Sequence, residues 1–314
     1  MSVFAKEPFT SALLNSYKNL PHGHFISLVL LRTTQSEAIF RTEGSGEPLC
    51  REATLAGLQV HEIIDRIVIT KRKQTAVERR SGRELLRDNG VYEKLSCLLN
   101  TQAPCGECPD CYIYGYAVGS GGAQRSRVLT EDAFSLLDAT EITAERTFNA
   151  LFDNSTMRNP ATGEASTSLG STEYVRPGVH FLDIETLKDV TQTEFIYVLG
   201  NILSSSRYGA IGTRIGRIDN RLLGIAIGRQ EIFSTLELTQ KTFDFLPSRQ
   251  HPLESNDVVA AATKAAGELL NQVFGWNGYW LSGDQLTPVL AEAAEEYKNP
   301  QKLVANLQNC YLTK

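Results

Sequence analysis

Three cysteines at two-residue gaps form the clearest chemical pattern in the sequence. Cys105, Cys108 and Cys111 make a C-x2-C-x2-C run, and Cys97 lies a short distance before them. In a cytosolic protein such close spacing is typical of metal ligands or redox groups rather than of a disulfide framework. Because structural zinc takes four ligands in a tetrahedron, the pattern predicts a zinc knuckle in which Cys97 supplies the fourth ligand.

The fourth ligand and the metal both have alternatives. Cys50 or one of the five histidines could replace Cys97. A four-iron cluster would also use four cysteines, although a ferredoxin-type run would place its next cysteine at Tyr114 or Gly115. A knuckle without metal is the third alternative. A catalytic zinc is not expected, because no H-E-x-x-H or H-x-E motif supplies a general base.

Basic residues near a predicted helix start form the second pattern. Residues 71–88 hold seven Lys and Arg against three Asp and Glu, a local balance of 7 − 3 = +4 in a chain of net charge −5. Within this segment Ser81-Gly82-Arg83-Glu84 matches a capping box, which predicts a helix that begins near Gly82. Free amides and the helix dipole favour an anion there, so the segment suits phosphate. A solvated charged face is the alternative.

Two further groups of arginines accompany glycines. Gln124-Arg125-Ser126-Arg127 follows Gly119–Gly122, and a later glycine-rich run holds Arg207, Arg214 and Arg217. Neither glycine run matches the dinucleotide-binding fingerprint or a P-loop, so a nucleotide-dependent enzyme is not expected. A polyanion explains the repeated arginines better, because binding to a phosphate chain sums many small electrostatic increments.

Hydrophobic patterning predicts the elements that must position these residues. Strands are expected at 25–32, 60–70, 179–187 and 222–227, and helices after the capping box Thr191–Glu194 and through the C-terminal part. Residues 126–137 fit either a strand or a helix capped by Thr130. Residues 153–176 suggest a long irregular loop in which Tyr174, Met157 and Arg158 could contact a ligand. The element order predicts an α+β fold with a ferredoxin-like or RNA-recognition (RRM) core, β-α-β-β-α-β, carrying insertions.

Size and composition set the broad class. A chain of 314 residues with 42% hydrophobic residues can form two domains or one core with large insertions. No apolar run approaches the ~18 residues of a membrane helix, and the first ten residues lack the order of a secretory signal. A cytoplasmic protein without a membrane partner is expected.

Several blocks in the same order resemble the repeated backbone subunits of CRISPR effector complexes, in the RAMP superfamily. The similar blocks are Tyr114-Gly115, Ser126–Leu129 with Asp132-Ala133, Phe148–Glu164, Val175–Phe181 and Tyr208–Arg217. Together with the cysteines, they make the chain most similar to the backbone subunit of type I-D Cascade. The resemblance extends over nearly the whole chain.

The resemblance implies one modified RRM-like domain, residues 1–314, with insertions. These are a lid at 41–60, a zinc-binding insertion at 97–122, a thumb-like insertion at 145–178 and a C-terminal helical region at 255–314. Copies of the chain are expected to stack head to tail as a filament along CRISPR RNA with other Cascade subunits, leaving the guide to pair with target nucleic acid. The implied RNA contacts are Lys71, Arg72, Lys73, Arg79, Arg80, Arg83, Gln124, Arg125, Ser126, Arg127, Met157, Arg158, Arg207, Arg214 and Arg217.

The sequence departs from related type III subunits at a catalytic position. Those subunits carry an aspartate just after the first strand that cleaves target RNA. Here the stretch is Arg32-Thr33-Thr34-Gln35-Ser36, and the first acid is Glu37. The main hypothesis is therefore a non-catalytic RNA-binding subunit. The alternatives are a metal-dependent ribonuclease of the same superfamily and a zinc-containing small-molecule enzyme.

Overall fold

The computed structural model describes residues 2–41, 49–101, 103–118, 122–149, 151–166 and 169–311. The strands are β1 Phe25–Thr34, β2 Arg51–Leu55, β3 Ile63–Ile69, β4 Tyr116–Val118, β5 Gly122–Gln124, β6 Val128–Thr130, β7 Ala133–Asp138, β8 Thr143–Asn149, β9 Leu169–Val175, β10 His180–Lys188, β11 Ile218–Gly228 and β12 Tyr279–Ser282. The helices are α1 Phe9–Ala12, α2 Lys71–Asp88, α3 Val91–Lys94, α4 Pro109–Tyr114, α5 Ala139–Ile142, α6 Gln192–Ser204, α7 Thr235–Phe245, α8 Ser255–Leu270, α9 Leu286–Tyr297 and α10 Pro300–Asn309, with a 3-10 turn at Gly283–Gln285.

An antiparallel sheet of eight strands forms the centre of the molecule. Its order is β12-β11-β1-β10-β7-β3-β2, and β6 pairs with β10 as well. β1 lies between β10 and β11, with Phe25 opposite Lys188 at one end and Thr33 opposite His180 at the other. Nearly every residue of β1 and β10 is buried. Strands buried on both faces have near-continuous apolar sequences, which is why the run at 25–32 predicted β1.

Helices cover both faces of this sheet. Leu28 and Leu30 of β1 belong to a core that includes α2, α6, α9 and α10. Val29 and Leu31 belong to a second core, under α7 and α8. Because successive strand residues point to opposite faces, one strand contributes to both cores. The central strands β1 and β10 therefore have no open face on which bases could stack, whereas the edge strand β2 is largely exposed.

Most of the local predictions are confirmed. The strands expected at 25–32, 60–70, 179–187 and 222–227 correspond to β1, β3, β10 and β11, and the fold is α+β. Helix α6 begins at its capping box: Thr191 Oγ1 accepts from Glu194 N, and the Glu194 carboxylate accepts from Thr191 N. Residues 126–137 form strands β6 and β7, so the helix capped by Thr130 is wrong; that residue lies opposite Glu185 in the sheet.

The predicted start of the basic helix is also wrong. α2 begins at Lys71 with Thr70 at its N-cap, and Gly82 lies well inside it. A Cβ on Gly82 would come within 2.4 Å of the Tyr197 Oη of α6. The glycine therefore serves the close approach of two helices, and the apparent capping box is incidental.

The expected insertions contain strands as well as loops and helices. β8 and β9 pair as a two-stranded ribbon at 143–175, so residues 169–175 are not the irregular loop predicted for them. β4 and β5 form a second small ribbon after the cysteines. β2 lies in the region expected as a lid, of which residues 42–48 are outside the described residues, and β12 lies in the region expected to be helical. Of the helices described, none is long and apolar enough to span a membrane.

Candidate nucleic-acid interface and metal centre

Four cysteines come together beside helix α4. The Sγ atoms of Cys97, Cys105, Cys108 and Cys111 all lie within 4.8 Å of one another. Cys108 is the N-cap of α4 and Cys111 lies in its first turn, so this short helix orients half of the set. In the described parts of the chain, no other group of His, Cys, Asp or Glu side chains has this geometry. Cys97 therefore joins the other three as expected, and neither Cys50 nor a histidine takes its place.

The spacing of the sulfurs fits a single tetrahedral ion. The Sγ atom of Cys111 lies 3.7 Å from that of Cys97 and 3.9 Å from that of Cys105, and Cys97 and Cys108 are 3.8 Å apart. Four sulfurs each about 2.3 Å from one zinc ion would be about 3.8 Å apart by tetrahedral geometry. A disulfide would need about 2 Å, and the thiolates of a four-iron cube bind different irons and lie farther apart. The residues present fit one ion with four thiolate ligands.

Neighbouring donors act on the acidity of these thiols. Burial raises the pKa of Cys105 to about 11. Burial also acts to raise the pKa of Cys97, but hydrogen bonds from Arg83 and from the Cys105 backbone amide lower it overall. The thiolate is the form that binds metal, so Arg83 favours the ligand form of Cys97.

Asp110 joins the ligand loop to helix α2. Its buried carboxylate accepts two hydrogen bonds from Arg79, from Nε and Nη2 at 2.8 Å each, and one from Arg83 Nη1 at 2.8 Å. Only 18% of the Arg79 side chain and 6% of the Arg83 side chain are exposed. Both arginines were expected to contact RNA. Their guanidinium groups instead hold α2 against the cysteines.

Arg127 is engaged in the same way. It lies 8% exposed, donates from Nη1 to Glu194 Oε2 at 2.9 Å and to Asp189 O at 2.9 Å, and forms a second contact with Glu194 through Nη2. Burial acts to lower the pKa of Arg127, but the hydrogen bonds and charge of Glu194 raise it overall. The Tyr311 hydroxyl donates to the same carboxylate at 2.6 Å. Arg127 therefore joins β6 to α6 and the C-terminal end of the chain.

The remaining expected contacts lie at or near the surface. The exposed ones are Lys71, Arg72, Arg80, Arg125, Arg158, Arg207, Arg214 and Arg217. The half-buried ones are Lys73, Gln124, Ser126 and Met157. This set is cationic even without Arg79, Arg83 and Arg127, whose guanidinium groups pair with buried carboxylates.

Two groups of these residues lie at opposite ends of β1. The loop holding Arg207–Arg217 packs on the chain just after β1, where Gln35 N donates to Arg217 O at 2.7 Å. The segment Gln124–Arg127 lies near the end of β10 that pairs with Phe25, where Lys188 N donates to Arg127 O at 2.8 Å. A strand of ten residues is about 30 Å long. An extended polyanion can reach both ends, whereas a small ligand cannot.

The cysteine knuckle supports the second of these groups. Gly115, the residue after α4, has φ +73°, and a Cβ there would lie 2.4 Å from Gln124 O. Arg127 N donates to Ile113 O at 2.8 Å. The segment 124–127 is therefore packed directly onto the helix that carries Cys111, while Gly119–Gly121 lie outside the described residues.

The third group lies at the true N-terminus of α2. Lys71 and Arg72 are exposed and Lys73 is half-buried. Lys71 N donates to Asp132 Oδ1 at 2.8 Å, which satisfies one of the free amides of the first turn. The N-cap, Thr70, makes no side-chain capping bond. Three basic residues at the positive end of a helix dipole favour an anionic ligand over a cationic one.

Met157 and Arg158 lie beyond the β8–β9 ribbon. Met157 is half-buried and Arg158 is exposed, with Arg158 Nη1 donating to Gly163 O at 2.9 Å. At the base of the ribbon, Ala38 pairs with Val175 in an isolated bridge. The ribbon therefore projects from the same end of β1 as the Arg207–Arg217 loop.

Lys18 and Lys188 were missed by the sequence reasoning. With Arg125 they line a surface cleft of about 300 Å³. Lys18 precedes β1 and Lys188 ends β10, so only the pairing of β1 with β10 brings them close to residues 124–127. No local pattern in the sequence marks either lysine.

A buried cluster fixes α2 and the Arg207–Arg217 loop on the sheet. Arg32 Nη2 donates to Glu78 at 2.8 Å and to Asp183 and Glu185 at 2.7 Å each, and Arg32 Nη1 donates to the Tyr208 hydroxyl at 3.1 Å. The four charged side chains are fully buried. Burial raises the pKa of Asp183 to about 6 and that of Glu185 well above its usual range. The cluster is closed to any substrate.

One surface groove lacks the histidine or cysteine on which common nucleophilic sites depend. It is an open groove of about 710 Å³ between β11, α8 and α9. Its charged lining residues are Asp219, Arg221 and Asp284, and no His or Cys belongs to the lining.

Comparison with known proteins gives one matching family and several similar folds. The family profile described as "Csc2 Crispr" matches residues 12–307. The solved structure of Csc2 from Thermofilum pendens is similar at a TM-score of 0.65 and 19% identity, covering 96% of this chain and 90% of that one. Two chains of CRISPR RNA-guided surveillance complexes, one in a pre-nicking state, are similar at a TM-score of 0.53; identities are 11% and 10%, and 86% of this chain and 99% of each of those chains are covered. A search of curated proteins found no match.

Proposed function

The chain belongs to the Csc2 CRISPR family, and from that premise we propose that it is a non-catalytic, cytoplasmic backbone subunit of a type I-D effector complex. Copies of it stack head to tail along CRISPR RNA beside other Cascade subunits. The protein holds the guide by its phosphates, and the guide reads the target nucleic acid by base pairing.

One observation carries the proposal: exposed basic groups lie at both ends of the ten-residue strand β1, about 30 Å apart. A single bound molecule that touches both groups must be long and anionic. Helices cover both faces of the central strands β1 and β10, so bases cannot stack on these strands as they do in the ordinary RRM mode. Contacts at the ends of the sheet and along α2 are consistent with sequence-independent binding to the RNA backbone.

The proposed RNA contacts follow the exposed surface. They are Lys71, Arg72, Lys73, Arg80, Gln124, Arg125, Ser126, Met157, Arg158, Arg207, Arg214 and Arg217, with Lys18 and Lys188 added. Arg79, Arg83 and Arg127 are left out because their guanidinium groups are engaged by buried carboxylates. Met157 is proposed to wedge between bases of RNA held by a neighbouring copy.

The strand order supports the proposed core and its insertions. β1, α2, β6, β10, α6 and β11 follow the order β-α-β-β-α-β along the chain, and β11-β1-β10-β6 are neighbours in the sheet. That is the arrangement of a ferredoxin-like or RRM core. The lid at 41–60, the zinc-binding insertion at 97–122, the thumb at 145–178 and the C-terminal region at 255–314 interrupt or follow it.

The cysteine knuckle is proposed to hold structural zinc. Cys97, Cys105, Cys108 and Cys111 would supply all four ligands, and such a complete set leaves no open position for a substrate. Zinc at this place supplies folding energy and no chemistry. It would fix α4, and through α4 the segment 124–127.

The ribonuclease alternative needs an acid near the end of β1. The first acid there, Glu37, is ion-paired with Arg146 of the β8–β9 ribbon. A catalytic metal ion would have to displace Arg146 from this carboxylate. Divalent-dependent RNA cleavage that Glu37→Gln abolishes would favour the nuclease over our proposal.

Binding and assembly on a guide test the proposal directly. The protein, purified in high salt to strip nucleic acid, is mixed with a CRISPR-type RNA and with an unrelated RNA of equal length. We expect both RNAs to bind with similar affinity and steep salt dependence, and particle size to grow with RNA length. Protein that stays monomeric and nucleic-acid-free would refute the proposed function.

A further inference from the structure

Arg83 of helix α2 reaches into the cysteine cluster without being a ligand. Its Nη1 lies 3.5 Å from Cys97 Sγ, and its Nη2 donates to Cys97 O at 2.6 Å. The ring of Tyr92 lies 4.7 Å from the Arg83 guanidinium, and the Tyr92 hydroxyl donates to Cys108 Sγ at 3.7 Å. Two side chains from outside the ligand loop thus contact two of the four sulfurs.

The charge of a filled cluster explains why a cation belongs there. Four thiolates around one divalent ion sum to −4 + 2 = −2, in a site where Cys97, Cys108 and Cys111 are buried. Burying uncompensated charge is costly. Arg83 brings a charge of +1 into direct contact with a sulfur. The charges of Arg79 and Asp110, which lie beside it, cancel each other. Backbone amides donate to Cys97 and Cys105 at 3.2–3.4 Å but bring no net charge.

Asp110 fixes the position of that cation. It lies between the ligands Cys108 and Cys111 in the sequence and is fully buried. Arg83 Nη1 donates to it at 2.8 Å while the same nitrogen faces the sulfur. Arg79 makes the matching contact with Asp110 from one helical turn earlier, yet its other bond goes to Gly115 O, not to a cysteine.

We propose that Arg83, positioned by Asp110, is the outer-sphere partner of the four-cysteine centre. Through this arginine, metal binding by the four cysteines helps to hold helix α2 in place. The inference rests on the metal site of the proposed function and is independent of RNA binding. Lys71, about 18 Å along the same helix from Arg83, belongs to the exposed basic set. Loss of the ion therefore loosens the helix that presents those cations.

Arg79 provides a matched control for the test. Arg83→Gln and Arg79→Gln each remove one cation from Asp110, but only the first removes a contact with sulfur. The full-length zinc-loaded proteins are mixed with excess chromogenic chelator, and the rate of zinc release is followed at a temperature where circular dichroism shows both variants folded. Removing an outer-sphere partner typically weakens metal binding by about 10–100-fold.

We expect Arg83→Gln to release zinc at least about tenfold faster than Arg79→Gln. Arg83→Lys keeps the charge, so its rate of zinc release should lie between those of Arg83→Gln and wild type. Equal release from the two glutamine variants would overturn the inference, because Arg83 would then act only through Asp110. Should Arg83→Gln fail to fold, Arg83→Lys is compared with Arg79→Lys instead, and Arg83→Lys must release zinc faster than Arg79→Lys. Wild-type protein that contains no metal by elemental analysis would overturn both the inference and the zinc site, whatever its affinity for RNA.

Discussion

Arg125 and Arg127 lie two residues apart, and the structure predicts opposite consequences for their loss. Arg127 is buried against Glu194, which also accepts from Thr191 N and the Tyr311 hydroxyl. Removing one partner of a buried ion pair costs about 3–5 kcal/mol of stability. Because the two remaining donors still bind the Glu194 carboxylate, we expect a loss near the lower value. Arg125 is exposed, so its removal should change the free energy of unfolding by less than about 0.5 kcal/mol.

The loss at Arg127 converts into a measurable melting shift. An unfolding entropy of about 2.1 cal/mol/K per residue gives about 0.7 kcal/mol/K for a chain of 314 residues. A loss of about 3 kcal/mol therefore lowers Tm by about 4 °C. We expect Arg127→Met to melt about 4 °C below wild type and Arg125→Met to melt with it.

For RNA binding the expectation is reversed: Arg125→Met should be weakened and Arg127→Met should not. Each lost phosphate contact on a single strand reduces the slope of log K against log[salt] by about 0.7. The affinity for an unstructured RNA is measured by anisotropy from about 50 to about 200 mM KCl. The slope of log K against log[salt] should be smaller by about 0.7 in Arg125→Met and unchanged in Arg127→Met. An Arg127→Met protein with wild-type Tm and a reduced slope would refute the assignment of this arginine to the fold.

Three further outcomes are expected. Substituting the first-turn cations Lys71, Arg72 and Lys73 with Gln should lower the salt slope by about 2, as about 0.7 per contact requires. Substituting Lys264, Lys298 and Lys302, three exposed lysines on or directly after the C-terminal helices, should leave the slope unchanged. In the buried cluster, the native state of Asp183 holds its proton up to about pH 6, against an ordinary pKa of 3.8, so its contribution to stability falls as pH rises through that interval. Burial also raises the pKa of Glu185, so its contribution to stability falls with pH in the same direction. Glu185→Gln removes this second titrating group, and the Tm difference between this variant and wild type should become more positive from pH 4 to pH 7; parallel Tm curves would contradict this. Finally, Cys108→Ser should release bound zinc and lower Tm, because structural zinc contributes to folding, while Cys50→Ser, away from the cluster, should retain the zinc measured by elemental analysis.

Local signals were enough for the strands, for α6 and for the grouping of the cysteines. The apolar run of β1 and the capping box at Thr191 each act within a few residues, so the sequence displays them directly. The C-x2-C-x2-C spacing fixes three sulfurs on one short helix and the loop before it. Cys97 could be added because it is the nearest cysteine along the chain.

The sorting of the arginines could not be predicted in this way. Whether Arg83 or Arg127 faces solvent depends on Asp110 and Glu194, which lie 27 and 67 residues further along the chain. Lys18 and Lys188 meet only after β1 and β10 have paired. The mistaken start of α2 has the same origin, because Gly82 is required by the packing of α6, a contact that local sequence does not reveal.

The helices on both sides of the central strands have a consequence for the range of guide RNAs that the complex can use. If the chain holds RNA as proposed, the covered middle of its sheet offers no platform on which to recognise one base rather than another. A single gene product can then serve every spacer that a CRISPR array acquires, and a newly captured spacer requires no matching change in the protein. The covered sheet thus lets the protein sequence stay constant while the set of guide RNAs that it binds changes.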